Sequence, residues 1–92
     1  MDIRHDADQH RFVAVLDDGR EAGTLTYADR GDALDFLSVF VNPAYRGRGV
    51  AAKITAAAFA HARQQRVRVT PTCPYVRDTY LARHPDDHPL TQ

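Results

Sequence analysis

Residues 33–52 read A-L-D-F-L-S-V-F-V-N-P-A-Y-R-G-R-G-V-A-A, and this stretch decides the fold. Residues 33–41 are rich in β-branched and aromatic side chains, which predicts a strand. Both faces of that strand are apolar, so we expect a central strand covered on both sides. Asn42-Pro43 ends the strand, because proline has no amide hydrogen for the sheet and restricts the residue before it. The alanine-rich sequence that follows predicts a helix over residues 49–65.

The segments on either side of this stretch predict the remaining elements. Residues 10–16 and 21–27 predict two strands joined by a turn. Residues 66–70 alternate and predict a fourth strand, and Pro74 suits the first turn of a second helix over residues 74–83. The predicted fold is therefore α/β (α+β), with an antiparallel β-meander leading into a β-α-β-α unit around a central mixed sheet.

Length and composition predict one small soluble domain. The chain of 92 residues predicts a single domain over residues 1–92, with residues 1–9 and 86–92 loose. No apolar run approaches the roughly 18 residues of a membrane span, and the polar start does not resemble a signal peptide. Cys73 is the one cysteine, which excludes an internal disulfide and suits a reducing cytosol. We expect a cytoplasmic monomer or weak homodimer without membrane partners.

The charges are segregated along a chain whose net charge is zero. Residues 1–41 carry a net charge of −5, residues 42–70 carry +6 with no acid, and residues 71–92 carry −1. A local positive stretch in a neutral protein favours a local anionic ligand. Nucleic-acid binding generally makes the whole domain basic, so we do not expect it here.

The glycine-rich loop before the long helix is the candidate anion site. Gly47 and Gly49 allow a sharp turn, Arg46 and Arg48 add positive charge, and no nearby Ser, Thr, Asp or Asn caps the helix. Unpaired amides at a helix start bind phosphate groups well. The alternative is a tight turn capped by water. The sequence does not contain the Gly-Lys-Ser/Thr that a P-loop requires. It also lacks the ribose-binding acid and the second half of the sheet that a dinucleotide site requires.

The loop resembles the acyl-CoA signature Q/R-x-x-G-x-G/A of the GNAT acetyltransferase superfamily. Arg46, Gly49 and Ala51 fall on its defined positions, and the likeness extends over roughly residues 21–85. The resemblance implies a minimal GNAT-like fold and acetyl-CoA as cosubstrate. It implies that the loop amides hold the pyrophosphate and that the end of the third strand pairs with pantetheine. The implied binding residues are Phe40, Val41, Arg46, Gly47, Arg48, Gly49, Val50 and Ala51.

Residues 71–80, P-T-C-P-Y-V-R-D-T-Y, resemble a short, single-domain, cysteine-bearing branch of GNAT-like proteins. The resemblance implies a catalytic role for Cys73 and implies that Tyr80 protonates the departing CoA thiolate. Cys73 also precedes a predicted helix start, which stabilises a thiolate, although a free cysteine is commonly a small buried hydrophobe. Tyr80 could equally pack against Val76, and Tyr75 is a weaker candidate.

No general base for an amine is evident in the sequence. Asp35 lies on the third strand and could face a cleft, whereas His61 lies on the apolar face of the long helix and is predicted to belong to the core. His84 and His88 are four residues apart, but Pro85 interrupts the helix that such a metal pair requires, so we expect no metal site. An acceptor amine can also lose its proton through water.

Three functions remain open at this point. The leading one is a small acetyl-CoA-dependent acyltransferase that acetylates an amine or protein acceptor, directly or through Cys73. The second is a CoA-binding module or regulator without turnover, because the four-residue turn over residues 17–20 replaces the helices that build much of the acceptor site in longer members. The third is a protein or nucleic-acid interaction module that uses the basic stretch.

Overall fold

The computed structural model describes residues 1–92 as one five-stranded sheet with helices against one face. The strand order is β1-β2-β3-β4-β5; neighbours pair antiparallel except β4 and β5, which are parallel. The predicted mixed sheet is therefore confirmed. The strands are β1 (Asp2–Asp6), β2 (Arg11–Val15), β3 (Glu21–Asp29), β4 (Ala33–Val41) and β5 (Arg68–Thr70).

The long helix α1 (Val50–Gln65) connects β4 to β5. Its apolar residues recur at helical spacing, so one face packs on the sheet. Phe59 of α1 lies between Phe36 of β4 and Tyr80 of the second helix, at ring-centroid distances of 5.1 and 5.4 Å. The residues that α1 buries are Val50, Ile54, Thr55, Ala58, Phe59 and Ala62.

The second helix occupies residues 75–83, within one residue of the predicted range 74–83, and Pro74 is its N-cap residue. It consists of a π-helical segment, Tyr75–Tyr80, that continues into α2 (Leu81–Arg83). Short 3-10 helices occur at Ala7–Gln9, Pro43–Tyr45 and Pro85–Thr91. No helix of the protein combines the length and the apolar composition that crossing a bilayer requires.

Both chain ends are ordered, and the prediction of loose ends is wrong. β1 pairs with β2 along its whole length, and His5 anchors it by a hydrogen bond of 2.6 Å to the Tyr27 hydroxyl and by stacking on Phe12. At the other end, Asp87 is buried and accepts hydrogen bonds from Tyr80 and Arg63. Local sequence shows neither anchor, because the partners lie between 7 and 24 residues away in the chain.

The third predicted strand, β4, is covered on one face only, which corrects the expectation of two covered faces. Leu34 and Phe36 are buried under α1, whereas Leu37 and Phe40 are 40% and 57% exposed. The pairing shifts from Tyr27↔Phe36 to Thr26↔Ser38, so Leu37 is an extra, bulged residue. Beyond this bulge the side chains change face, and Val39 and Val41 pack against the core instead.

Candidate functional site

β4 and β5 separate after a short stretch of pairing, and the gap between them begins the candidate site. The strands pair only from Ala33↔Arg68 to Asp35↔Thr70, although β4 continues to Val41. The Asn42 amide donates to Ala22 of β3. Since alternate residues of an antiparallel strand face the same neighbour, the backbone groups of Val39 and Val41 point away from β3. They therefore face the gap that β5 leaves.

A cleft of about 320 Å³ occupies this gap and reaches the loop before α1. It contains six of the predicted binding residues, which come from β4, the loop and the first turn of α1. Tyr75 adds a wall from the second helix. The lining residues are Val39, Phe40, Val41, Tyr45, Arg46, Gly47, Val50, Ala51 and Tyr75.

The other two predicted binding residues, Arg48 and Gly49, do not line this cleft. The Arg48 guanidinium lies 5.7 Å from the ring centroid of Tyr45. Arg48 lines a neighbouring cavity of about 210 Å³ together with Lys53 and the Met1 end of the chain. Gly49 is the N-cap residue directly before α1. The loop therefore borders two adjacent cavities separated by Tyr45.

The loop backbone carries a run of unpaired donors. None of the amides of residues 47–52 donates a hydrogen bond within the protein, and no side chain caps α1. Gly47 and Gly49 have φ angles of +81° and +74°, which disfavour any side chain. A helix start with free amides carries a partial positive charge. This part of the loop is thus suited to an anion.

The arginines and lysine around the loop are also free of acidic partners. None of the ion pairs in the protein involves Arg46, Arg48 or Lys53. Arg46 is exposed and donates from Nε to the Val41 carbonyl at 3.3 Å, which holds its side chain beside the cleft. By contrast, Arg63 of the same basic stretch is paired with Asp87. The uncompensated positive charge near the cleft strengthens the case for an anionic ligand.

Cys73 lies at the start of the second helix, as predicted, but in the core. Its carbonyl accepts the Arg77 amide at 3.0 Å, and its own amide donates to Phe36 at 2.8 Å. The residue is 4% exposed and belongs to the buried apolar cluster. It does not line the cleft. A chemical role for its thiol would therefore require the neighbouring segment to move.

The position of Tyr80 does not suit the predicted general-acid role. Tyr80 is 2% exposed and stacks on His84 with a centroid distance of 4.0 Å. Its hydroxyl donates to the buried Asp87 carboxylate at 2.9 Å. Burial, and then this hydrogen bond, raises the pKa of Tyr80 well above its ordinary value. Its side chain joins the C-terminal segment to the core and does not reach the cleft.

Tyr75 is the tyrosine of the second helix that reaches the cleft. It is partly exposed and forms part of the cleft wall. Burial of the ring is the main reason why the pKa of its hydroxyl is raised, so the group stays protonated at neutral pH. The sequence ranks Tyr75 below Tyr80, because the π-helical turn that orients both residues leaves no pattern that spacing alone reveals.

The other residues considered for chemistry lie outside the cleft. Asp35 accepts hydrogen bonds from Thr72 and Arg30 at the point where β4 and β5 separate. His61 packs edge-on to His5, with ring centroids 4.4 Å apart, but it is partly exposed and lies outside the buried core cluster to which the sequence assigned it. No group of three or more His, Cys, Asp or Glu side chains is placed to hold a metal ion.

Replacing Tyr80 with phenylalanine should lower the free energy of unfolding by about 1–3 kcal/mol, because a buried carboxylate loses a donor. Urea denaturation of Tyr80→Phe against the wild type measures this change. Tyr75→Phe is the matched control, and we expect it to change stability little because Tyr75 is partly exposed. Unchanged stability with lost acyl transfer in Tyr80→Phe would restore the catalytic role predicted from the resemblance.

The fold and the cleft together define a small α/β protein with a candidate anion site at a strand–loop–helix junction, and comparison with known families identifies the family. The family model described as GCN5-related N-acetyl-transferase matches residues 11–90. The chain therefore belongs to the GCN5-related N-acetyltransferase family, and the predicted minimal fold of that family is confirmed.

One solved structure gives a second comparison. The crystal structure of nourseothricin acetyltransferase is 32% identical to this chain, with a TM-score of 0.50. The match covers 62% of this chain and 35% of that protein. This chain thus spans about a third of the length of that relative.

Proposed function

We propose that the protein binds the coenzyme A part of acetyl-CoA in this cleft and transfers the acetyl group to an amine. The observation that carries the proposal is the run of unpaired amides over residues 47–52 at the mouth of the cleft. Family membership supports acyl transfer as the reaction class. The acceptor, an amine on a small molecule or a protein, is part of the proposal.

The residues present suit the phosphate groups of coenzyme A. Free amides at the start of α1 can donate to a pyrophosphate, and the helix adds a favourable dipole. Arg46 stands on the cleft side of Tyr45, while Arg48 and Lys53 line the adjacent cavity. One cation on the cleft side of the Tyr45 ring and two on the other side can bind phosphates at two places on the same ligand.

The cleft walls suit the pantetheine part. Val39, Val41 and Tyr75 provide a largely apolar surface. The backbone groups of Val39 and the Val41 amide face the gap and have no strand to pair with, since β5 ends at Thr70, whereas the Val41 carbonyl accepts the Arg46 Nε hydrogen bond. An amide-bearing chain that lies along β4 can form hydrogen bonds with these free groups in the manner of an added strand.

Acetyl transfer to an amine requires few protein groups. The amine nitrogen forms a bond to the acyl carbon, the carbon–sulfur bond breaks, the nitrogen loses a proton and the thiolate gains one. On the second helix, Tyr75 is the cleft residue that can supply a hydrogen bond or a proton through its hydroxyl, whose pKa is raised mainly by burial. An acceptor amine can release its proton to water. The alternative route through acyl-Cys73 requires exposure of a thiol that is now buried.

A binding module without turnover is the second candidate. Its support is the burial of both Cys73 and Tyr80 away from the cleft. Both candidates predict binding of coenzyme A, so titration calorimetry with coenzyme A tests what they share. Release of coenzyme A from acetyl-CoA with a panel of amines and peptides separates them. The intact mass of the wild type after incubation with acetyl-CoA tests the covalent route. If the wild type shows no acetylated species and Cys73→Ala keeps full activity, the covalent route is excluded.

Replacing both Arg46 and Arg48 with alanine should weaken coenzyme A binding by about tenfold or more, since each arginine can make a charge-assisted hydrogen bond to phosphate. The fold should remain intact because both side chains are exposed. Calorimetry at fixed ionic strength measures the affinity. Arg68→Ala removes an exposed arginine away from the loop and serves as the control. Equal affinities in all three proteins would place the ligand elsewhere.

A further inference from the structure

The closed end of the cleft is held by side chains where the strand pairing stops. The last backbone pair of β4 and β5 is Asp35↔Thr70. Two residues further on, the Thr72 hydroxyl donates to Asp35 Oδ1 and continues the connection between the two strands. The Cys73 amide then donates to the Phe36 carbonyl at 2.8 Å. Beyond these two links the strands part and the cleft opens.

The segment between β5 and the second helix has few backbone hydrogen bonds to the rest of the protein. Pro71 has no amide hydrogen, and the Thr72 amide bonds back to Thr70 within the same segment. The second helix begins at Tyr75, three residues after Thr72, and Tyr75 forms a wall of the cleft. Buried side chains such as Val76 and Tyr80 hold the helix itself in the core, and the Thr72 and Cys73 links to β4 hold the segment that leads into Tyr75.

Asp35 is itself fixed in place. Its side chain is 13% exposed although it stands on the uncovered side of β4, and Arg30 donates to its second oxygen at 3.3 Å. Both carboxylate oxygens are thus occupied, which suits a group that orients a neighbour better than one that accepts a proton. The Arg30 side chain is 60% exposed, so we expect its contribution to be small.

Asp35 is also distant from the anion site. Val41 lies six positions further along β4, which at about 3.3 Å per strand residue corresponds to roughly 20 Å. A change at Asp35 or Thr72 should therefore leave the phosphate-binding loop undisturbed. Any effect on function should arise through Tyr75, which lines the cleft, and through the neighbouring Cys73, which lies in the core.

We propose that Asp35 and Thr72 form a positioning pair, in which the Thr72 hydroxyl bound to Asp35 sets the closed end of the cleft and holds Tyr75 and Cys73 in place. The pair acts on the transfer step of the proposed function, on which the proposal rests, and not on coenzyme A binding. Thr72→Val removes the hydroxyl with little change in shape. Thr72→Ser retains it, and Arg30→Gln is the control for the outer ion pair.

Steady-state kinetics with acetyl-CoA give the first test. We expect Thr72→Val to lower kcat by about tenfold or more with little change in KM for acetyl-CoA, because small displacements at a reacting centre cost rate. Thr72→Ser should restore kcat, and Arg30→Gln should resemble the wild type. Unchanged kcat in Thr72→Val, or a parallel loss of coenzyme A affinity, would overturn the proposal.

Alkylation of Cys73 by a maleimide gives a test that needs no turnover. Cys73 is the single cysteine and is buried, so its alkylation rate reports opening of this segment. The rate should rise several-fold in Thr72→Val and in Asp35→Asn, and stay at the wild-type value in Thr72→Ser. Equal rates in all variants would overturn the proposal even if the wild type binds coenzyme A. Faster alkylation in a protein that shows no acyl transfer would support the pair while removing the proposed function.

Discussion

Replacing Ala51 with aspartate should reduce coenzyme A affinity about a hundredfold while leaving the protein as stable as before or slightly more stable. Ala51 lines the cleft in the first turn of α1. A carboxylate there would accept hydrogen bonds from the free amides and would repel the phosphates. The repulsion should cost about 3 kcal/mol for charges roughly 5 Å apart at the protein surface. The same carboxylate stabilises the helix start by about 0.3–1 kcal/mol.

The opposite signs of the two effects make this substitution informative. Calorimetry with coenzyme A measures the first effect, and thermal unfolding without ligand measures the second. Ala56→Asp places the same charge on an exposed position of the same helix and should change neither quantity much. If Ala51→Asp bound coenzyme A as tightly as the wild type, the amides at the start of α1 would not be the phosphate site.

Replacing Gly23 with alanine should cost more stability than the same substitution at any other glycine of this protein. A Cβ at Gly23 would lie 2.8 Å from the Phe40 carbonyl oxygen and 3.2 Å from side-chain atoms of Ile54 and Val50. The backbone oxygen cannot turn aside as a flexible side chain can. We expect the free energy of unfolding to fall by about 1–3 kcal/mol, as for overpacked cores.

Thermal and urea unfolding of Gly23→Ala measure this loss, and Gly19→Ala is the control. Gly19 has a φ of +90° with nothing within 4 Å of its Cβ position, so that variant carries backbone strain without a clash. Gly23→Ala should also weaken coenzyme A binding, because Phe40 and Val50 both line the cleft. Wild-type stability in Gly23→Ala would show that β3 and α1 can separate without penalty.

The candidate site was predictable from sequence where it depends on neighbours in the chain. The strand at β4, the glycine turn and the start of α1 are one continuous segment, and their patterns are local. Glycine at 47 and 49 predicts positive φ angles, and the absence of a capping side chain predicts free amides. Six of the eight predicted binding residues accordingly line one cleft.

The roles of individual side chains on the second helix were not predictable in the same way. Tyr75 and Tyr80 stand five residues apart, and the helix periodicity alone does not tell which one faces the cleft. The answer depends on Asp87, whose buried carboxylate accepts a hydrogen bond from the Tyr80 hydroxyl. Likewise, the polar sequence of β1 contains no strong strand pattern, and its order comes from contacts of His5 with Phe12 and Tyr27.

The sequence by itself determined that a buried strand, a glycine turn and a long helix follow one another, and that the turn has unpaired amides among cations without nearby acids. These properties arise within about twenty consecutive residues, so the composition and spacing of those residues are enough to predict them. Only the tertiary structure decided which sheet face stays open, how the bulge at Leu37 redirects β4, and which tyrosine meets the cleft. Each of these depends on packing between segments far apart in the chain, whose energies a local pattern does not contain.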